Sequence, residues 1–204
     1  MKILLFLKAP RPGTVKTRLA KDLGEDQACE AYKMLVRRQL ENLPKDAELL
    51  IHFAPANAHA EMNEWLGPQH RYIPQCEGDL GQRLSFAVKQ AFEHHTSPVF
   101  CIGSDCPQLE TGHFIEANNH LKKDADLVLG PTEDGGYYLI GMTRYMPELF
   151  TNIAWSSEHT LRDTLKAANA LNLSTALLEQ LWDVDELCDW ERACKATFFS
   201  PSRS

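Results

Sequence analysis

The stretch Lys2-Ile3-Leu4-Leu5-Phe6-Leu7-Lys8 decides the architecture. Ile3 to Leu7 leave no polar face, and a strand that is apolar on both sides belongs to a parallel sheet covered by helices on each face. Pro10 and Pro12 turn the next residues, Ala9 to Gly13, into an irregular loop. The apolar run is too short for a signal-peptide core with its cleavage site, and no other run approaches the ~18 residues of a membrane helix. The expectation is a soluble, cytoplasmic protein without membrane insertion.

Strand-like and helix-like stretches alternate over the rest of the 204 residues, without a long linker, repeat or low-complexity tract. One domain over residues 1–204 is the economical reading. Strands are expected at 47–53, 72–74, 99–102, 125–129, 137–142 and 176–182. Helices are expected at 26–43, 58–66, around 84–92 with His94 and His95 closing it, 111–121 capped by Thr111, from Ser156 or Ser157 to 169, and 185–195. The strands at 125–129 and 137–142 are joined by an acidic glycine loop with no helix between them. A mixed sheet with at least one antiparallel member follows.

Charge divides along the chain. The 21 Lys and Arg against 28 Asp and Glu give -7, which argues against a nucleic-acid partner. Residues 1–21 hold six bases and no acid, leaving -13 for residues 22–204. Four of those bases, Lys8, Arg11, Lys16 and Arg18, flank a loop whose backbone N–H groups and cations suit a di- or triphosphate. A Walker A loop is excluded, because Val15 stands where Gly must precede Lys16-Thr17. A solvated basic loop is the competing reading.

Acidic residues recur at strand ends: Asp105 in Gly103-Ser104-Asp105-Cys106-Pro107, Glu133 and Asp134 before Gly135-Gly136, and Asp183 and Asp185 around Val184. Ligands of open α/β sheets bind at the carboxyl ends of strands, and Mg²⁺ takes carboxylate oxygens together with substrate phosphates. Three such turns can converge on one metal; singly, each is a turn that caps its own backbone. Gly135 and Gly136 permit close backbone approach to a ligand, and Tyr137 and Tyr138 point to opposite faces, so one meets a base or sugar and the other joins the core. Trp155-Ser156-Ser157-Glu158 is an acceptor-side loop or a helix cap.

Other signals read as structural. Cys101 and Cys106 lack partners for a zinc site, and the six scattered cysteines read mostly as reduced thiols. Ser104 lacks the G-x-S-x-G setting of a hydrolase nucleophile. Met34, Trp65, Trp182 and Trp190 read as packing residues.

Taken together, residues 6–19, 103–107, 130–141, Trp155-Ser156-Ser157 and Asp183-Val184-Asp185 resemble the bacterial DUF2064 group of glycosyltransferase-like proteins, within the nucleotide-diphospho-sugar transferase superfamily. The resemblance implies a GT-A fold: a three-layer α/β/α sandwich around a mostly parallel mixed sheet. It implies a nucleotide or nucleotide sugar in the N-terminal half, with Lys8, Ala9, Pro10, Gly13, Lys16, Arg18 and Ser104 as its binding residues. Mg²⁺ or Mn²⁺ is implied on Asp105 and Asp185, with Asp183 behind them. Catalysis then falls to Asp105, Lys16, Arg18 and Asp134, and the sugar or an unidentified small-molecule acceptor meets Glu133, Asp134, Gly135, Gly136 and Trp155. Two departures leave the direction of chemistry open between glycosyl transfer, nucleotidyl transfer with release of pyrophosphate, and nucleotide binding without catalysis. Ser104-Asp105-Cys106 stands where glycosyltransferases carry Asp-x-Asp, and Pro10-Arg11-Pro12-Gly13 replaces a Gly-Gly.

Overall fold

A computed structural model describes residues 1–93 and 98–196. In chain order its strands are β1 (Lys2–Lys8), β2 (Glu48–Ala54), β3 (Arg71–Pro74), β4 (Val99–Ile102), β5 (Leu127–Pro131), β6 (Tyr137–Met142) and β7 (Thr175–Leu177). They form one sheet in the order β3-β2-β1-β4-β6-β5-β7. Neighbours pair in parallel except at β6, which runs against both β4 and β5. The reversal follows from residues 132–136, a connection too short for the crossover that parallel strands require.

The helices are α1 (Ala20–Leu23), α2 (Glu25–Asn42), α3 (His59–Leu66), α4 (Leu80–Glu93), α5 (Thr111–Lys123), α6 (Thr160–Ala170) and α7 (Leu187–Lys195). Ile3, Leu5 and Leu7 pack in one cluster with α2, α3 and α5, through Tyr32, Val36, Met62, Phe114 and Leu121. Leu4 enters the opposite cluster with Leu84, Val88 and Ala168 of α4 and α6. The unbroken apolar run therefore feeds two cores, one on each face of the sheet, and each fully buried Leu or Ile is worth about 1.5–3 kcal/mol. The result is the expected three-layer α/β/α arrangement around a mostly parallel mixed sheet. Among the described residues, no helix is long and apolar enough to cross a membrane.

Local boundaries differ where side chains outcompete propensity. The expected last strand, 176–182, shrinks to β7 and an isolated bridge between Thr132 and Leu181. β5 starts at Leu127 because the N–H of Ala125 still bonds to His120 at the end of α5. Glu110, not Thr111, caps α5, its N–H donating to His113 Nδ1 while the Thr111 hydroxyl reaches Asn42 O. α6 begins at Thr160, since Ser157 is drawn into a turn in which its hydroxyl donates to Ala154 O and accepts from the His159 N–H. Met34 lies on the exposed side of α2. The helix end expected at His94 and His95 falls outside the described residues.

Candidate active site

β1 ends at Lys8, where the Tyr32 hydroxyl accepts from the Lys8 N–H and donates to its carbonyl, each at 2.9 Å. The Ala9 N–H then donates to Ala54 O at 2.7 Å, prolonging the pairing with β2 before the prolines release the chain. The loop returns through Lys16, whose φ of 47° is left-handed, a conformation costing on the order of 1–3 kcal/mol for a residue with a side chain. This turn accompanies an inward Lys16 side chain, only 5% exposed.

Lys16 Nζ donates to Val184 O at 2.6 Å and lies 2.7 Å from Asp105 Oδ1 and 3.2 Å from Asp185 Oδ1. Two distant segments thus meet on one ammonium. The Val184 N–H closes the knot by donating to Asp105 O at 2.9 Å, and Arg18 Nη1 reaches Asp185 Oδ2 at 3.5 Å. Burial works against the Lys16 charge, but the Asp105 and Asp185 carboxylates outweigh it, so its pKa lies above the usual lysine value. Asp183 is pushed up to about 8, first by burial and then by the negative charges of Asp105 and Asp134.

Two lobes of a cleft meet at this knot. One, of about 420 Å³, is lined by Lys8, Lys16, Arg18, Gln75, Arg83 and Ser104 among others. The second, of about 310 Å³, is lined by Asp134, Gly136, Tyr137, Trp155, Ser157 and Asp183 among others. Phe6, Arg18, Leu80, Gly103, Asp105, Ser156 and Asp185 belong to both. Two glycines allow the second lobe to form. Gly135, at φ 87°, brings its backbone against Glu158, where a Cβ would collide with the carbonyl. A Cβ on Gly81 would meet the Trp155 indole and the Phe150 carbonyl.

The family described as "Uncharacterized protein conserved in bacteria" (DUF2064) matches residues 39–157. A crystal structure from Desulfovibrio desulfuricans G20, of a candidate nucleotide-diphospho-sugar transferase, is 33% identical over 98% of this chain and 89% of that one, with a TM-score of 0.89. The chain belongs to the DUF2064 family. The fold also occurs at far lower identity. The 4-diphosphocytidyl-2C-methyl-D-erythritol synthase of Anaerococcus prevotii DSM 20548 is 10% identical, over 96% of this chain and 97% of that one, with a TM-score of 0.61. Rv0371c of Mycobacterium tuberculosis H37Rv, solved as a complex with manganese, is 12% identical, over 96% and 98%, with a TM-score of 0.55. No curated protein matches at a significant level. The sheet and its layers are those of the nucleotide-diphospho-sugar transferases.

In this DUF2064 chain the N-terminal loop divides its residues. Lys8, Lys16 and Arg18 line the first lobe with Ser104, whereas Ala9, Pro10 and Gly13 do not. The Ala9 N–H is engaged by Ala54, the Pro10 carbonyl accepts from the Cys29 thiol at 3.1 Å, and Gly13 packs beside the Glu25 carboxylate. Arg11 turns away to pair with Glu61, with Nε 2.9 Å from Oε2. Asp134 lines the second lobe, its Oδ1 accepting from the Thr132 hydroxyl and, at 3.0 Å, from the Gly136 N–H. Glu133 instead pairs with Arg192, Oε2 to Nη1 at 3.0 Å, and Gly135 serves the turn against Glu158. Tyr137 stands edge-on to Trp155 at 6.4 Å, while Tyr138 is buried with its hydroxyl donating to Glu179 O.

Gln75, Tyr32 and Phe6 are not among the site residues that the sequence points to. Gln75 Nε2 donates to the carbonyls of Leu7 and His52, spanning the ends of β1 and β2, and its Oε1 lies 3.5 Å from Arg83 Nη1. A polar residue directly after the apolar Tyr72-Ile73-Pro74 strand was the available signal. Cys101 and Cys106 are buried thiols, with burial raising the Cys106 pKa to about 12.

Asp105 and Asp185 set carboxylate oxygens in the shared wall, each side chain 42% exposed. Among the described residues, no group of three or more His, Cys, Asp or Glu is arranged to hold a metal. Two carboxylates fit Mg²⁺ or Mn²⁺ completed by substrate phosphate oxygens, the usual arrangement of phosphate-bound Mg²⁺.

Proposed function

We propose that this protein is a transferase that holds a nucleotide sugar or nucleoside triphosphate in the basic lobe and passes a group to a small-molecule acceptor in the acidic lobe. The observation that carries this reading is Lys16, buried at the seam between the lobes with Asp105, Asp185 and Val184 around its ammonium. An interior cation so close to a cleft lined by three further bases is suited to stabilising charge that grows on a departing phosphate. The D. desulfuricans relative is described as a nucleotide-diphospho-sugar transferase candidate, in accord with it.

In this reading Lys8, Lys16, Arg18 and Arg83 bind phosphate oxygens, and Ser104 adds a hydroxyl. Gln75 and Arg83 line the same lobe, and this reading assigns them to the base. Asp105 and Asp185, with Asp183 behind them, would hold Mg²⁺ or Mn²⁺, which supplies Lewis-acid charge to the phosphates when bound. Trp155 and Tyr137 keep water from the acceptor side. Asp134 orients the acceptor or takes its proton, because its Oδ2 has no hydrogen bond among the described residues. Nucleotidyl transfer is the second reading, favoured by Ser104-Asp105-Cys106 in place of Asp-x-Asp.

The test is a panel of nucleotides and nucleotide sugars with Mn²⁺, read by thermal stabilisation and by released product. Nucleoside diphosphate identifies glycosyl transfer, and pyrophosphate identifies nucleotidyl transfer. Asp105→Asn should abolish turnover; full activity in that variant, or binding with neither metal dependence nor turnover, would overturn the proposal.

A further inference from the structure

The two lobes differ in what they offer an anion. Four bases border the first: Lys8, Lys16, Arg18 and Arg83. The second has Arg18 alone among its described lining residues, already paired with Asp185; Asp105 and Asp185 line both lobes, and the second adds the carboxylate of Asp134. Phosphates and carboxylates are held by Arg and Lys or by free N–H groups at helix starts. Both helix starts bordering the second lobe spend several of their N–H groups within the chain. At α6 the Thr160 N–H donates to Ser157 O, the Leu161 N–H to Gly135 O at 2.9 Å and the His159 N–H to the Ser157 hydroxyl. At α4 the Asp79 carboxylate accepts from the Gln82 N–H at 2.8 Å, and Gln82 Oε1 accepts from the Asp79 N–H at 2.9 Å. The remaining walls are largely apolar, with Leu84, Ile102 and Ile140 beside Tyr137 and Trp155, and aromatic faces attract apolar or cationic groups.

We infer that the lobe walled by Asp134, Asp183, Tyr137 and Trp155 admits an uncharged or amine-bearing acceptor and rejects phosphate- and carboxylate-bearing ones. This rests on the transferase reading, and it selects glycosyl transfer from the two directions that reading contains. Nucleotidyl transfer to a phosphate requires an anion to approach through this lobe. Glycosyl transfer requires only a hydroxyl or amine. The acceptor oxygen or nitrogen forms a bond to the anomeric carbon of a nucleotide sugar. The bond from that carbon to the diphosphate oxygen breaks, its electron pair leaving on the nucleoside diphosphate. The acceptor proton passes to the Asp134 carboxylate.

The experiment uses the full chain with Mn²⁺ and the nucleotide-sugar panel. Nucleoside diphosphate release is followed with glucose, glucosamine, glucose 6-phosphate and gluconate, and with glycerol, ethanolamine and glycerol phosphate. The neutral and amine members should exceed their anionic counterparts in kcat/KM by at least about tenfold, the scale of one unscreened charge at close range. Ser157→Lys, which adds a cation to the lobe, should narrow that gap by about tenfold, and Asp134→Asn should lower the preference for amines. Equal or better use of the phosphorylated acceptors, pyrophosphate release with a phosphate acceptor, or no stimulation by any neutral or amine compound would overturn the inference. Nucleotide-induced thermal stabilisation is measured in parallel. Its absence removes the transferase reading and the inference together, whereas its presence with an anionic preference removes the inference alone.

Discussion

The basic lobe and the acidic lobe share a wall but are made from different kinds of chain. The first lies at the carboxyl ends of the parallel strands β1 and β4, with Gln75 just beyond β3, where a doubly wound sheet ordinarily opens toward its ligand. The second exists because the sheet departs from that pattern. Reversed β6, the turn at 132–136 and residues 155–160 supply walls of this lobe. Regular architecture supplies the basic side, and the irregular insertion supplies the acidic side with its individual character.

Four measurements would break or sharpen this comparison. The largest effect belongs to Lys16→Met, which removes the cation that pins the shared Asp105 and Asp185 and leaves those carboxylates and Val184 O facing one another. Nucleotide-induced stabilisation should vanish and turnover fall at least about 100-fold, with a stability loss on the order of 3 kcal/mol by denaturant titration. Retained nucleotide affinity would show that the lobes do not depend on a common pin.

The second measurement is a pH series. His52 is buried, stacks on Phe6 at 5.1 Å, and its pKa is lowered to about 4 by burial and then by Arg71. The unfolded imidazole protonates near 6.5, so the unfolded state binds more protons between those values. Stability is full above pH 6.5 and falls as pH drops toward 4, by about 3 kcal/mol. Comparison with His52→Asn isolates this slope. Because Phe6 borders both lobes, acid should weaken both, unlike the substitutions confined to one.

Gly81→Ala comes third. Its new methyl displaces Trp155 or the Phe150 carbonyl, at about 1–3 kcal/mol for overpacking, and should raise the KM for acceptor while leaving nucleotide affinity near its original value. The smallest change is Glu133→Gln. Glu133 forms an exposed pair with Arg192, worth under about 1 kcal/mol, and activity should stay unchanged although its neighbour Asp134 borders the cleft.

The contrast between those two neighbours marks how far the sequence could be read. Ile3 to Leu7 announce a doubly covered strand, and the loop at 132–136 announces an antiparallel pair, because both depend on local pattern and length. Whether Glu133 or Asp134 faces the cleft depends on Arg192, on a helix 59 residues away, and no local pattern carries that. Arg11 is likewise claimed by Glu61, and the Ala9 N–H by Ala54. Lys16 was legible as a charge near phosphates, but its burial was not, since the two segments that bury it arrive from residues 105 and 183–185. The start of α6 was misplaced for a related reason: Ser157 had two local uses, and the turn with Ala154 and His159 prevailed over a cap.

The bond from Lys16 to Asp185 spans 169 positions of sequence. A ribosome delivers the basic loop well ahead of its acidic counterpart, and chains of this size fold in stages during synthesis. Over that interval Lys16 is a cation with half of its anchor still unmade. The parallel strands β1, β2 and β4 can assemble early, yet the cleft closes only as Asp183 to Asp185 settle over Asp105. A chain made only as far as β4 is therefore a sheet without this cleft, and the segment around Asp183 to Asp185 completes it.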